Sequence, residues 1–282
     1  MYIKPKKSLG QNFLIDKNIQ KKIICACNLF KEDIVLEIGA GKGDLTVLLA
    51  QSVKKVYALE IDPRLYPLLQ QVADANENCQ IIKSDILKFN LSKFILDNQI
   101  KQKIKVIGNI PYYISSPIIE QLIGYRKNIS AAFITVQKEF GRRARAPAGS
   151  KEYGSFSCFL QYYCKCEILF EIKRNSFKPA PNVDSCFLSL EFRERPPVLV
   201  QDEGALFKLI RTAFNQRRKT LRNSLGGLVA QESLRNFLQS AGIDKNVRPE
   251  DLSLEQFASL SNSLGFCSDV GDRHACHLRK VK

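Results

Sequence analysis

The stretch Ile34-Val35-Leu36-Glu37-Ile38-Gly39-Ala40-Gly41-Lys42-Gly43-Asp44 decides the fold. An apolar run ends in three glycines at alternate positions, and an amphipathic helical stretch follows over 45–52. Strand, glycine turn and helix together make a nucleotide-binding βα unit. Its glycines let the backbone approach a ligand that a Cβ would exclude. The turn reads Glu-x-Gly-x-Gly-x-Gly rather than the G-x-G-x-x-G of dinucleotide sites, and a glycine turn alone is a weak signal.

The neighbouring strand ends strengthen it. An apolar run at 55–59 ends in Glu60-Ile61-Asp62, an acid about 20 residues beyond the glycines, where it can accept ribose hydroxyls. The run at 80–83 ends in Ser84-Asp85-Ile86, whose carboxylate can accept from an adenine amine. The run at 104–108 ends in Asn109-Ile110-Pro111-Tyr112. Open α/β sheets bind ligands at the carboxyl ends of their strands. This tetrapeptide suits an exocyclic amine: the Asn oxygen and a backbone carbonyl beside the proline can both accept from NH2, and the tyrosine offers a stacking face.

Charge points to the other reactant. The 282 residues carry 43 Lys and Arg against 28 Asp and Glu, a net +15 that favours a polyanion. The excess is grouped: six Lys against one Asp over 1–22, five basic residues against one Glu over 138–151, and six with no acid over 208–222. Any one cluster is more often a solvated face. Three of them flanking one site suggest a groove that tracks phosphates.

Strands and helices alternate to about residue 193, with further strands at 131–136, 166–172 and 183–192, seven in all. Residues 1–18 read as a basic arm over the cofactor, and Asp16 as the cap of a helix over 19–29. Residues 142–153 read as a polar, RNA-facing loop. Glu194-Arg195-Pro196-Pro197 reads as a linker, after which the pattern turns helical, with Ser253-Leu254-Glu255-Gln256 a capping box. The expected division is a catalytic domain at 1–193, a helical RNA-binding domain at 198–266 and a tail at 267–282. Nine cysteines, no leader-like segment and no long apolar run fit a reduced, cytoplasmic protein without a membrane span. His274, Cys276 and His277 make an incomplete metal set, and no metal is expected.

These motifs resemble the rRNA adenine N6-dimethyltransferase family. The resemblance rests on 6–14, the glycine turn, Ala58-Leu59-Glu60-Ile61-Asp62, Asn109 to Tyr112, Phe177-Lys178-Pro179-Ala180-Pro181-Asn182-Val183-Asp184-Ser185 and Phe214-Asn215-Gln216-Arg217-Arg218-Lys219-Thr220-Leu221. It is nearest the bacterial small-subunit (16S) branch. It implies a class I S-adenosylmethionine (SAM) methyltransferase fold, α/β and Rossmann-like, with a seven-stranded sheet and a small all-helical C-terminal domain. It implies cofactor contacts at Asn12, Leu14, Gly39, Gly41, Glu60, Asp85 and Asn109. The target base would be held by Asn109, Pro111, Tyr112 and Phe177, the last on a rigid loop rather than in the core. RNA contacts are expected from Lys6, Lys7, Arg142, Arg143, Arg145, Arg217, Arg218, Lys219 and Arg222. The implied partner is 16S rRNA in a small-subunit assembly intermediate, met by a monomer. The alternatives are a large-subunit rRNA methyltransferase of the macrolide-resistance type and a non-enzymatic rRNA-binding assembly factor.

Overall fold

The computed structural model describes residues 3–264. Nine strands occur among them: β1 (Phe13–Leu14), β2 (Ile34–Ile38), β3 (Lys55–Glu60), β4 (Cys79–Lys83), β5 (Ile104–Asn109), β6 (Ile129–Gln137), β7 (Cys164–Ile172), β8 (Phe177–Lys178) and β9 (Ser185–Phe192). Seven form one sheet in the order β4-β3-β2-β5-β6-β9-β7, and β1 pairs with β8 in a separate ribbon. The seven expected strands are therefore all present in one sheet.

Hydrophobicity places each strand. β2, β3 and β6 are buried along almost their whole length, as parallel strands covered on both faces must be. Edge strand β7 instead alternates between exposed and half-buried residues, so it faces solvent on one side. β2 pairs in parallel with β3 on one side and β5 on the other, while β6 pairs antiparallel with β9. The chain runs outward through β3 and β4, then returns to lay β5 on the opposite flank of β2. That return makes a topological switch point between β2 and β5, where such sheets open a crevice.

The first helix, Lys17–Ala26, is capped as expected. The Asp16 carboxylate accepts from the amides of Asn18 and Ile19, and the helix buries Gln20 and Ile23. It stops three residues short of the expected end.

Two compact units emerge. Among the described residues, one comprises 3–141 and 165–194 and holds the sheet; the other comprises 142–164 and 195–264. The second unit thus takes a segment expected within 1–193. Helix Ser155–Tyr163 supplies Phe159, Tyr162 and Tyr163 to an aromatic cluster with Phe207 of helix Glu203–Phe214. Residues 142–153 are also not simply a loop. Helix Lys138–Arg145 continues through the basic residues, and Ala144, Ala146 and Tyr153 are buried while Arg142, Arg143 and Arg145 are exposed. The last helix, Leu254–Leu264, opens on the expected box: the Gln256 amide donates to Ser253 Oγ at 3.3 Å, and the Ser253 amide donates to Gln256 Oε1 at 2.9 Å.

Candidate active site

A cavity of about 250 Å³ opens at the switch point. Its walls include Asn12 from the arm, Gly39 and Gly41 after β2, Glu60 after β3, Asp85 after β4, and Asn109, Pro111 and Tyr112 at β5. Because the strand order is β4-β3-β2-β5, three polar strand ends and the glycine turn, scattered in sequence, stand side by side. They span three strand spacings, roughly 14 Å. That suits a nucleoside with an attached amino-acid tail.

The glycine turn fits such a ligand. Gly39 and Gly41 have φ of +74° and +62°, a region L side chains rarely adopt. A Cβ on Gly39 would stand 3.2 Å from the Asn109 carbonyl oxygen, and one on Gly41 would stand 3.3 Å from the Phe13 ring.

Glu60 is fixed before any ligand arrives. Its Oε2 accepts from the Gly41 amide at 2.8 Å, and its Oε1 accepts from the amides of Ile61 and Asp62 at 2.9 Å each. Burial pushes this carboxyl up, while the amides of Asp62, Gly41 and Ile61 oppose the rise. A carboxylate offers about four acceptor positions. Three are taken, and the remaining one is on Oε2, so the site has direct room for one ribose hydroxyl rather than the expected pair. Asp85 caps the turn after β4 by accepting from the Leu87 amide at 3.0 Å on Oδ1, leaving Oδ2 for a cofactor amine. Ile61 and Ile86 supply apolar walls for a purine. The chain therefore has the donor and acceptor set that SAM requires.

Asn109 is oriented by the arm. Its Nδ2 donates to the Asn12 carbonyl at 3.0 Å. A carbonyl only accepts, so the amino end must face it, and Oδ1 is the end left to accept from a substrate amine. The Pro111 carbonyl, expected as the second acceptor, already takes the Ile114 amide at 3.2 Å and keeps one lone pair. The Tyr112 hydroxyl meets Ser185 Oγ, which anchors the ring from β9.

Two expected contacts are not at the cavity. Leu14 is 7% exposed and Phe177 is 3% exposed; both belong to the core beside the helix Lys17–Ala26. They pair with one another across β1 and β8. Successive residues of a strand face opposite sides, so Phe13 faces the cavity and Leu14 faces the core. Phe177, expected on a rigid loop outside the core, is instead a core aromatic.

Of the basic residues, Lys6, Lys7, Arg142, Arg143, Arg145, Arg218, Lys219 and Arg222 are exposed. Arg217 is partly committed within its own unit, donating to the Lys151 carbonyl at 2.8 Å and to Glu250 Oε2 at 3.2 Å. Arg222 donates to Gln231. His274, Cys276 and His277 lie outside the described residues.

A switch-point cavity with a glycine turn, a fixed acid on the next strand and an oriented amide across from it defines a SAM-dependent methyltransferase. The particular family follows: the chain belongs to the ribosomal RNA adenine dimethylase family, whose sequence pattern matches residues 3–265. It is 42% identical over 266 residues to the ribosomal RNA small subunit methyltransferase A of Geobacillus thermodenitrificans, covering 92% of this chain and 90% of that one. The protein of the same name in Clostridium botulinum (strain Okra) is 41% identical, with 92% and 93% covered. A solved dimethyladenosine transferase from Plasmodium falciparum is 27% identical and superposes with a TM-score of 0.72 over 88% of this chain and 95% of that one.

Gln11, Asp62 and Ser185 are not among the expected site residues. Each sits inside a motif that reads as something else, and each acts through a partner distant in sequence.

Proposed function

We propose that the chain dimethylates N6 of two adjacent adenosines near the 3′ end of 16S rRNA, acting on a small-subunit assembly intermediate. One observation carries this reading: the Asn109 amide is locked with Oδ1 as the acceptor, beside Tyr112, at the mouth of a nucleoside-sized cavity. The names and close identity of the bacterial relatives support the choice of small-subunit RNA.

SAM, when bound, supplies an electrophilic methyl group on a sulfonium. Glu60 would hold its ribose, Asp85 its adenine amine, and the glycine turn with Asn12 its amino-acid end. The target base must be unpaired or turned out, because N6 is engaged in a duplex, and the Tyr112 ring receives its face. Asn109 Oδ1 and the Pro111 carbonyl accept the two N6 hydrogens in the first transfer, and one of them accepts the single hydrogen that is left in the second. This draws the lone pair out of conjugation with the ring and stabilises the positive charge that develops on nitrogen. The N–C bond would form as the sulfonium's C–S bond breaks to leave a neutral thioether, and the cationic nitrogen, strongly acidic, would pass its proton to water, so no strong base is required. The only histidines in the sequence are His274 and His277, remote in sequence from every cavity residue. Holding the two reactants in line is itself worth on the order of 7–11 kcal/mol.

The test is incubation with radiolabelled SAM and unmodified small subunits, large subunits or DNA, followed by nucleoside analysis. Label recovered as N6,N6-dimethyladenosine from small subunits is expected. Label confined to large subunits or DNA overturns the proposal.

A further inference from the structure

Asp62 follows β3 and is 1% exposed, yet it lies in none of the roles described so far. It is heavily engaged. Arg64 grips it with Nε at 2.9 Å and Nη2 at 2.6 Å, and the Gln11 Nε2 donates to its Oδ2 at 2.8 Å. The far end of Gln11 is also used, since its Oε1 accepts the Lys6 amide at 2.7 Å. Arg64 Nη1 reaches the Lys4 carbonyl at 3.3 Å. The carboxylate thus gathers the arm at three places. On the other side, the Tyr113 ring packs against Gly10, where an added Cβ would come within 2.9 Å of it. The residue after Gln11 is Asn12, whose carbonyl holds the Asn109 amino group.

We infer that Asp62 is a positioning residue for methyl transfer: through Gln11 it bolts the arm in place, so that the Asn12 carbonyl keeps Asn109 Oδ1 turned to the substrate amine. The charge matters because an ionised acceptor makes a hydrogen bond roughly twice as strong as a neutral one. The short reach from Gln11 to Asn12 matters because one residue of slack returns the Asn109 amide to free rotation. A purely structural role would cost stability without singling out the transfer step. This inference rests on the adenine methyltransferase reading, and its test includes a measurement that does not.

Asp62→Asn keeps the shape but sets an amino group or a weaker acceptor against the Gln11 amino group. Gln11→Ala removes the link from the arm side and leaves the Asp62–Arg64 pair intact. Both single variants are expected to speed amide hydrogen exchange over residues 6–13 at least tenfold, with exchange in β2 and β5 unchanged. They are expected to lower the single-turnover methylation rate about tenfold, with RNA affinity within twofold of the parent. Unchanged arm exchange in the single variants overturns the clamp. Faster arm exchange with an undiminished transfer rate overturns the positioning role. Absence of activity in the parent protein, with the exchange pattern as expected, falls on the functional reading and not on the clamp.

Discussion

The Tyr112 and Ser185 hydroxyls stand 2.5 Å apart, joining the tetrapeptide after β5 to the first residue of β9 across 73 residues of sequence. Ser185 is fully buried, so the bond fixes the ring that would receive the target base. Tyr112→Phe keeps the stacking face and loses the anchor, and Ser185→Ala does the same from the other side. A neutral hydrogen bond is worth about 1 kcal/mol, so each should lower kcat roughly fivefold. The pair should cost no more than either alone. Tyr112→Ala, which removes the face itself, should cost at least tenfold more. Steady-state kinetics on unmodified small subunits distinguish these outcomes, and additive losses would dissociate the two residues.

Asn109 and Glu60 should separate chemistry from cofactor binding. Asn109→Ala should reduce transfer by a factor of about 10³, in line with losing one oriented acceptor, while RNA binding survives. Glu60→Ala removes the acceptor of three backbone amides and should weaken SAM binding about tenfold to a hundredfold, using roughly 1.5–3 kcal/mol for a bond to a charged group. Calorimetric titration with SAM and filter binding with RNA read the two effects separately. Equal loss of transfer and RNA binding in Asn109→Ala would remove it from the chemistry.

Glu37, buried beneath the glycine turn, should make stability depend on pH. Burial pushes its carboxyl from an ordinary 4.5 up to about 8, opposed by the Thr46 hydroxyl that donates to it at 2.6 Å, with Glu60 and Asp44 adding to the rise. The folded state therefore holds this proton more tightly than the unfolded chain does. Its contribution is complete below about pH 4.5 and is lost as pH rises toward 8. The slope is at most about 1.4 kcal/mol per pH unit. Glu37→Gln should flatten the urea-unfolding midpoint between pH 5.5 and 7.5; an unchanged slope would assign the dependence elsewhere.

The basic segment after helix Glu203–Phe214 should not act uniformly. Arg217 already pairs with Glu250, so it has less to offer a phosphate than Arg218 or Lys219. Arg218→Ala or Lys219→Ala should reduce the salt slope of RNA binding by roughly one unit each, and Arg217→Ala by less. Affinity measured between 50 and 200 mM salt, conditions over which about a thousandfold can be lost, provides the comparison.

The strand ends can be read from sequence because the strands are mostly apolar runs, and a polar residue at or just beyond the end of each run is the one that meets a ligand. Glu60, Asp85 and Asn109 are found in this way. Their adjacency is not legible, since it depends on strand order. Phe177 misleads for a related reason: a ladder of two residues with Phe13 and Leu14 is too short to leave a periodic signature, so the prolines nearby dominate the pattern. Residues 142–153 mislead in the opposite sense. Their arginines are conspicuous, while the buried Ala144 and Ala146 that keep them on a packed element are too small to register as a core pattern. The Gln11–Asp62 bond spans 51 residues between two polar side chains, and no spacing rule reaches that far.

The ribbon of β1 and β8 has a bearing on biosynthesis. Leu14 leaves the ribosome early but pairs with Phe177, and the Asp16 carboxylate waits for the Ser176 hydroxyl, 160 residues downstream. Contacts so distant along the chain form late. The nascent polypeptide can therefore tie its arm to Asp62 and Asn109 once those residues are made, while β1 and the Asp16 carboxylate stay without their partners until the segment before β9 emerges. A chain that ends just short of that segment would keep the acceptor that aims the amide but lose the β8 partner of β1 and the Ser176 hydroxyl that meets Asp16.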